Sequence, residues 1–307
     1  MHTLNEELMV RLKEGRERIT AETNPAQKRT MMEGVFDDLQ RDYPGGMANN
    51  FAHIRDFFLK QCEYDPDRLM SLLRNDEKMN FDREIRKREE LDGFDKQYGT
   101  RTSLILEHFE LNETVPIERL LNSSRFAPSP IKGFRFALQQ LADFRVDYSK
   151  YTFIDIGVGL GRNLLLASEF PFKRIIGVEI SEQLCAIAQE NIEQYNNTSG
   201  RVCPAEVVCS DALSYSFPPG PLVLYFWEPF SGVTQTAFVK HLEAYLEASG
   251  QSIMLVFMGG VFRDIIRSDK FKMLGVRDTT EYSGNGTFFR VTIFGPAVDP
   301  EETIYYI

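Results

Sequence analysis

The sequence predicts an α/β protein: a doubly wound, seven-stranded, mostly parallel sheet that ends in an antiparallel hairpin, preceded by a helical domain. Strand-like and helix-like segments alternate from Tyr151 onward, which is typical of βαβ units on a parallel sheet. Asn285-Gly286 separates the last two strand-like runs, as in a tight hairpin turn. Before Glu90, apolar residues recur three and four apart without strand-like alternation, which indicates helices.

The part of the chain before Tyr151 divides into a helical region and a turn-rich region. Pro44-Gly45-Gly46 interrupts the helices, and Asp65 or Asp67 is suited to capping the helix that follows. Residues 98–102 read as a compact turn, and prolines in 125–130 favour an extended chain before an amphipathic helix at 133–144. We therefore predict a helical N-terminal domain at 1–94, a lid and linker region at 95–150 and a main domain at 151–307.

In the main domain, the sequence predicts five strands, three helices between them, and a final hairpin. The predicted strands are 152–155, 174–179, 205–209, 222–226 and 252–258, and the predicted helices are 162–169, 181–195 and 234–248. Ser181 is suited to capping the second of these helices. A shorter helix at 261–268 then leads to hairpin strands at 272–282 and 287–294, joined by the turn at 284–286.

Composition limits the classes of function. A formal net charge of −10 disfavours nucleic acid as the main partner, because phosphate neutralisation needs excess Lys and Arg. No apolar run reaches the roughly twenty residues of a membrane span, so we expect a cytoplasmic protein without membrane contact. The four cysteines are scattered without a metal-ligand spacing, which predicts reduced thiols and no metal. The oligomeric state stays open.

A glycine-rich turn follows the first predicted strand of the main domain. The run from Asp155 through Gly157, Gly159 and Gly161 to Arg162 leads from an apolar strand into a helix. Glycine is needed where the backbone turns sharply and a ligand lies against it. Arg162 occupies the position where the dinucleotide-binding motif has its third glycine. The sequence therefore does not match the glycine spacing of that motif. A carboxylate at Asp155 would repel a diphosphate but accept hydrogen bonds from a ligand ammonium group.

Two further acids follow the next two strands. Glu179 ends the second strand, where a doubly wound fold binds ribose hydroxyls, and Asp211 follows the third, where an acid can accept from the adenine amine. Each has a structural alternative: Glu179 as a helix cap, Asp211 as a turn residue and the glycines as a tight loop. The order and spacing of all three acids favour a nucleoside-binding site.

Residues 152–230 resemble the class I, Rossmann-like, S-adenosyl-L-methionine-dependent methyltransferases. The resemblance implies that the glycine turn lies against the methionine part of the cofactor, Glu179 holds the ribose and Asp211 contacts adenine. A shorter likeness, over 98–102 and 125–128, is to the lid of a subgroup that includes the non-SET protein lysine methyltransferases. The cofactor-binding residues implied are Tyr98, Thr102, Asp155, Gly157, Gly159, Gly161, Arg162, Glu179, Ile180, Asp211 and Ala212.

The candidate catalytic residues follow the fourth strand. Amine-modifying members of the family carry Asn or Asp before prolines and an aromatic residue at this place, whereas this chain has Glu228 in the run from Trp227 to Phe230. A carboxylate here can hold the acceptor ammonium and help to remove its proton, since only the free amine attacks. Trp227 and Phe230 would form apolar walls that also favour a cation. The alternative is that both aromatic residues are core and Glu228 is a helix cap.

These observations predict a methyltransferase that uses S-adenosyl-L-methionine, releases S-adenosyl-L-homocysteine, and methylates nitrogen on a protein side chain or a small amine. Alignment and exclusion of water would supply most of the acceleration, with the lid as the closing element. An aminopropyl transferase on the same fold and a non-catalytic adenosylmethionine-binding protein are the alternatives kept open. A nicotinamide oxidoreductase is disfavoured by Arg162.

Overall fold

The computed structural model describes residues 4–42, 55, 59–60, 62–73, 87, 92–106, 111, 113, 126–279 and 290–297. The chain forms two compact units. One lies within Met1–Glu84 and Leu106–Arg125, and the other lies within Ile85–Ile105 and Phe126–Ile307. All the site residues predicted from the sequence belong to the second unit.

The first unit is helical in its described part. It contains α1 (Leu4–Ala21), α2 (Pro25–Asp42) and α3 (Pro66–Leu73). The Asp65 carboxylate accepts the backbone N–H groups of Asp67 and Arg68, both at 2.9 Å, and so caps α3 as one of the two predicted acids. The apolar faces of the three helices and the segment before α3 share a core: Leu8, Leu12, Ile19, Met32, Phe36, Leu39, Leu59, Cys62, Leu69 and Met70.

The second unit is built on a seven-stranded sheet. Its strands are β1 (Thr152–Ile156), β2 (Arg174–Glu179), β3 (Ala205–Cys209), β4 (Leu222–Phe226), β5 (Ile253–Met258), β6 (Phe271–Asp278) and β7 (Arg290–Pro296). Their order is β3-β2-β1-β4-β5-β7-β6, with the first five strands parallel and β7 antiparallel to both neighbours. The predicted fold class is therefore confirmed, while the turn predicted at 284–286 lies outside the described residues.

Helices cover both faces of this sheet. They are α4 (Phe94–Tyr98), α5 (Ile131–Gln139), α6 (Arg162–Ala167), α7 (Glu182–Ser199), α8 (Gly232–Ser249) and α9 (Arg263–Arg267). Phe153 of β1 packs with α5, α6 and α7 on one face, whereas its neighbour Ile154 packs with α8 and α9 on the other. Strands β1, β4 and β5 are buried along their whole length, as expected of parallel strands covered on both sides.

Predicted helix ends differ from the observed ones by a few residues. Ser181 caps α7, because its hydroxyl accepts the Leu184 N–H at 3.1 Å, and this confirms the predicted start. The helix continues to Ser199, beyond the predicted end at 195. The helix predicted at 133–144 starts earlier, at Ile131, and its last five residues tighten into a 3-10 turn, Gln140–Phe144.

None of the helices within the described ranges is long and apolar enough to cross a membrane.

Candidate functional site

The glycine turn after β1 has the backbone conformation that its sequence requires. Gly157, Gly159 and Gly161 have φ angles of 79°, 53° and 85°, which place all three in the left-handed region that favours glycine. Protein side chains already occupy part of the space that these glycines leave. A Cβ atom at Gly159 would lie 2.0 Å from the ring of Phe126, and one at Gly157 would lie 2.8 Å from Pro229. The absence of side chains at these positions therefore allows close packing within the protein.

Asp155 lies at the end of β1 and is 1% exposed. Its Oδ2 accepts a hydrogen bond from Asn163 Nδ2 at 3.0 Å. Burial raises the pKa of Asp155 to about 8; the Asn163 hydrogen bond lowers this pKa and the negative charge of Glu179 raises it. At neutral pH the unliganded carboxyl is therefore mostly protonated, and a nearby cation would restore its charge.

Glu179 lies at the end of β2, and its carboxylate holds the glycine turn. Its Oε2 accepts the Gly159 N–H at 3.0 Å, and its Oε1 accepts the backbone N–H groups of Ile180 at 2.8 Å and Ser181 at 3.1 Å. The side chain is 7% exposed. Glu179 thus joins the end of β2 to the turn after β1, a role that the spacing of these residues in the sequence did not reveal.

Asp211 follows β3 at the same edge of the sheet. Its Oδ1 accepts the Leu213 N–H at 2.9 Å, which shapes the turn around Ala212. Asp211 is half-buried, as are Ile180 and Ala212. Because β3, β2 and β1 are adjacent and parallel, the sheet brings the three predicted acids to neighbouring strand ends.

The predicted lid segment packs against α6 and α7. Thr102 is fully buried, and its Oγ1 accepts the Arg162 Nε–H at 2.8 Å. Arg162 Nη2 also donates to Ser103 Oγ at 2.8 Å. The ring of Tyr98 lies 4.7 Å, centroid to centroid, from that of Tyr195 in α7. Arg162 therefore replaces the third motif glycine with a side chain that fixes the segment beside the turn.

Two polar residues that the sequence analysis did not identify complete this attachment. The Asp95 carboxylate accepts the Thr102 N–H at 2.9 Å and further hydrogen bonds from Thr100 and Ser103. Burial alone would raise the pKa of Asp95, but these hydrogen bonds outweigh it and lower the pKa. Asn191 of α7 accepts the Arg101 N–H at 2.7 Å and donates to the Leu160 carbonyl at 2.9 Å. It thereby links the segment directly to the glycine turn.

The three predicted catalytic residues follow β4 and lie in different environments. Glu228 is exposed, has a φ of 45°, and accepts the Gly260 N–H through Oε1 at 2.8 Å. Trp227 is half-buried and packs against the core on the α5–α7 face of the sheet. Phe230 is 8% exposed and packs 5.3 Å from Phe238, centroid to centroid, on the opposite face. Of the three side chains, that of Glu228 is the most exposed to solvent and that of Phe230 is the most buried.

A buried polar cluster behind Asp155 was also missed from the sequence. Asn163 Nδ2 donates to Ser129 Oγ at 3.2 Å as well as to Asp155, and Tyr225 OH donates to the same Ser129 oxygen at 3.1 Å. Ser129 lies before α5 and Tyr225 lies in β4, so the cluster joins residues far apart in the sequence. The only signal for it was Asn163, which follows Arg162 at the start of a helix whose next residues are apolar.

Within the parts of the chain that the structure describes, no group of three or more His, Cys, Asp and Glu side chains is arranged to hold a metal ion.

Comparisons with known proteins give similarity at the level of solved structures. No protein-family model matches the chain, and no curated protein matches it. The magnesium protoporphyrin IX methyltransferase of Synechocystis PCC 6803, solved with bound SAM, is 12% identical with a TM-score of 0.41 over 54% of this chain and 79% of its own. An RNA methyltransferase of Salinibacter ruber, solved with S-adenosyl-L-homocysteine, is 20% identical with a TM-score of 0.39 over 57% of this chain and 97% of its own.

A third similar structure is the ribosomal protein L11 methylase of Lactobacillus delbrueckii subsp. bulgaricus. It is 12% identical with a TM-score of 0.40, over 56% of this chain and 81% of its own. The three proteins act on different substrates by name, a porphyrin, RNA and a ribosomal protein.

Proposed function

We propose that the chain is an S-adenosyl-L-methionine-dependent methyltransferase that methylates nitrogen on a protein side chain or a small amine and releases S-adenosyl-L-homocysteine. One observation carries the proposal: Asp155, Glu179 and Asp211 stand at the ends of three adjacent parallel strands beside a left-handed glycine turn. A doubly wound sheet binds nucleotides at this edge. A buried acid in place of a phosphate-binding group suits a cationic ligand.

The residues present fit the proposed cofactor. Asp155 is a buried, protonated carboxyl that an ammonium group would stabilise in its charged form. The Glu179 carboxylate is acceptor-only, as the ribose hydroxyls require, and Asp211 can accept from the adenine amine. The turn formed by Gly157, Gly159 and Gly161 would lie against the methionine part. The cofactor supplies an activated methyl group, so the protein needs no covalent chemistry of its own.

Glu228 is the proposed contact for the methyl acceptor. Its carboxylate is exposed at the end of β4, and the Gly260 N–H holds one oxygen at 2.8 Å, which leaves the other to face a ligand. An acceptor ammonium paired with this carboxylate would be oriented and would lose its proton there before attack. Trp227 would supply the apolar wall beside the acceptor. Phe230 is buried on the opposite face of the sheet and would support the loop rather than line the wall.

The segment 98–102 is the proposed cover of the cofactor. Thr102 and Arg162 tie it to the start of α6, and Asn191 ties it to the glycine turn. A cover held this way would exclude water from the transferring methyl group. The division into a helical domain at 1–94, a lid and linker region at 95–150 and a methyltransferase domain at 151–307 stays a prediction, as does a cytoplasmic location.

Transfer of a labelled methyl group tests the proposal. We would incubate the full chain with methyl-labelled S-adenosyl-L-methionine and a cell extract, and then measure the label in protein, nucleic acid and small molecules. We expect label in protein or in small amines, and much less with Glu228→Gln. Label in nucleic acid alone would contradict the proposed acceptor. Binding of the cofactor without any transfer would favour the non-catalytic alternative, and absence of binding would reject the function.

A further inference from the structure

The side-chain oxygen of Asn163 is a buried acceptor without a partner. Among the described residues, Asn163 Oδ1 is the one buried side-chain nitrogen or oxygen atom that makes no hydrogen bond. The residue is 8% exposed. The rest of its amide is well held, since Nδ2 donates to Asp155 Oδ2 at 3.0 Å and to Ser129 Oγ at 3.2 Å. A buried polar atom left unpaired is costly and calls for a partner outside the protein.

Exchanging the two ends of the amide does not remove the unsatisfied position. The exchanged orientation would place an NH2 group where Oδ1 lies, and two donors would then lack acceptors instead of one oxygen lacking a donor. The hydrogen-bond pattern therefore favours an acceptor at this position, directly beside the carboxyl group.

The surrounding groups select the kind of ligand. Burial raises the pKa of Tyr225, so its hydroxyl keeps its proton and donates to Ser129. Ser129 Oγ thus receives hydrogen bonds from both Tyr225 and Asn163. The free oxygen of Asn163 and the carboxyl of Asp155 together offer acceptors, which suit a group with several N–H donors and positive charge.

We infer that Asn163 Oδ1 and the Asp155 carboxylate together bind the α-ammonium group of the cofactor's amino-acid part. This inference rests on the proposed function and adds a residue and a selectivity to it. Binding through Asn163 satisfies the unpaired oxygen, and binding through Asp155 gives a buried carboxyl a counter-charge. Asn163 is then a selectivity residue: it favours adenosyl ligands with an amino acid over those without one.

Calorimetry with three ligands tests this selectivity. The ligands are S-adenosyl-L-homocysteine, its analogue without the α-amino group, and 5′-methylthioadenosine, which lacks the amino-acid part altogether. The proteins are the wild type, Asn163→Leu, and the matched control Asn197→Leu on the exposed surface of α7. We expect Asn163→Leu to weaken the binding of S-adenosyl-L-homocysteine roughly tenfold. This is about the effect of losing one charge-assisted hydrogen bond. The Kd values of the other two ligands should change by less than about twofold, because neither carries the α-amino group that Asn163 would contact.

The outcomes separate this inference from the function on which it rests. An equal loss for all three ligands would assign Asn163 a structural role and overturn the inference, as would an unchanged affinity for S-adenosyl-L-homocysteine in a folded variant. A wild type that binds none of the ligands would overturn the proposed function as well. If circular dichroism shows that Asn163→Leu does not fold, the smaller change Asn163→Ser is measured instead, with the same selectivity expected.

Discussion

The carboxyl edge of the sheet holds its acids in two different ways. At the ends of β1 and β2, Asp155 and Glu179 are 1% and 7% exposed, and the protein itself supplies their hydrogen-bond partners. At the end of β4, Glu228 is exposed and accepts a single backbone N–H, from Gly260. The first region is fixed before any ligand arrives, whereas the second is open to solvent.

The difference in burial between the two regions indicates which property each one controls. Groups that are buried and bonded to one another hold a ligand in one position, which suits a cofactor shared by every turnover. An exposed carboxylate on a loop suits an acceptor that must enter and leave. Changes in the first region should therefore lower both stability and cofactor affinity. Changes at Glu228 should lower turnover and leave both of those properties intact.

The largest effect is expected from Gly159→Ala. The φ of 53° strains any residue with a side chain, and the new Cβ would lie 2.0 Å from the ring of Phe126. Gly200→Ala is the matched control, because Gly200 has a φ of 67° but nothing within 4 Å of its Cβ position. We expect a loss of about 1 kcal/mol of unfolding free energy in the control. The Gly159 variant should lose about 2–4 kcal/mol by adding overpacking to this strain.

Urea unfolding measures this difference. Trp227 is the only tryptophan of the chain and belongs to the second unit, which contains the sheet. Its fluorescence therefore reports on the unfolding of that unit. Gly159→Ala should also abolish detectable binding of S-adenosyl-L-homocysteine in calorimetry. Equal stability of the two variants would mean that the contact with Phe126 relaxes at no cost, and the rigidity assigned to this region would be wrong.

The second largest effect expected is a pH dependence of the unfolding free energy, caused by Asp155. Burial raises its folded pKa to about 8 from an ordinary value of 3.8, so between these values the folded state keeps a proton that the unfolded state loses. The free energy of unfolding should therefore fall as pH rises through this window, by at most about 1.4 kcal/mol per pH unit. Asp155→Asn removes this contribution, so its stability relative to the wild type should grow from pH 5 to pH 8.

Asp147 provides a control of opposite sign. Hydrogen bonds from Ser149, first, and Lys150 lower its pKa, so its contribution is present above the ordinary pKa and is lost as pH falls. Asp147→Asn should therefore not change the slope between pH 5 and pH 8. Parallel curves for the wild type and Asp155→Asn over this range would contradict the buried, protonated state of Asp155.

The fold could be predicted from the sequence because its signals are local. β2, β3 and β4 begin and end at the predicted residues, since each is a short apolar or β-branched run bounded by turn residues. The order of the acids along the chain was equally visible, because each follows its own strand. The antiparallel pairing of β6 and β7 followed from the hairpin signal.

The contacts within the site could not be predicted, because they join residues far apart in the chain. Nothing in the local sequence shows that Glu179 binds the Gly159 N–H, that Asn191 bridges Arg101 and Leu160, or that Phe126 fills the space beside a glycine. Sequence patterns give the backbone direction of each element, whereas the packing of side chains between elements decides these partners. Asn163 was overlooked for the same reason.

The third effect separates the open region from the fixed one. Glu228→Gln keeps an oxygen for the Gly260 N–H but cannot take a proton, so we expect kcat with an amine acceptor to fall by about a hundredfold. Stability and the Kd of S-adenosyl-L-homocysteine should not change. Steady-state kinetics and calorimetry measure these values, with Glu193→Gln, an exposed acid on α7, as the control. A variant with weakened cofactor binding and full kcat would place Glu228 on the cofactor side instead.

The smallest effect is expected from Glu179→Ala, and it tests whether one residue serves both ligand and fold. Loss of charged hydrogen bonds to ribose should weaken the binding of S-adenosyl-L-homocysteine by about 1–2 kcal/mol. Loss of the bond to the Gly159 N–H should lower the unfolding free energy by about 1 kcal/mol. Glu182→Ala, an exposed acid in the first turn of α7, is the control and should change stability by only a few tenths of a kcal/mol. If Glu179→Ala loses stability but keeps full affinity in calorimetry, its carboxylate holds only the turn, and the ribose must be bound elsewhere.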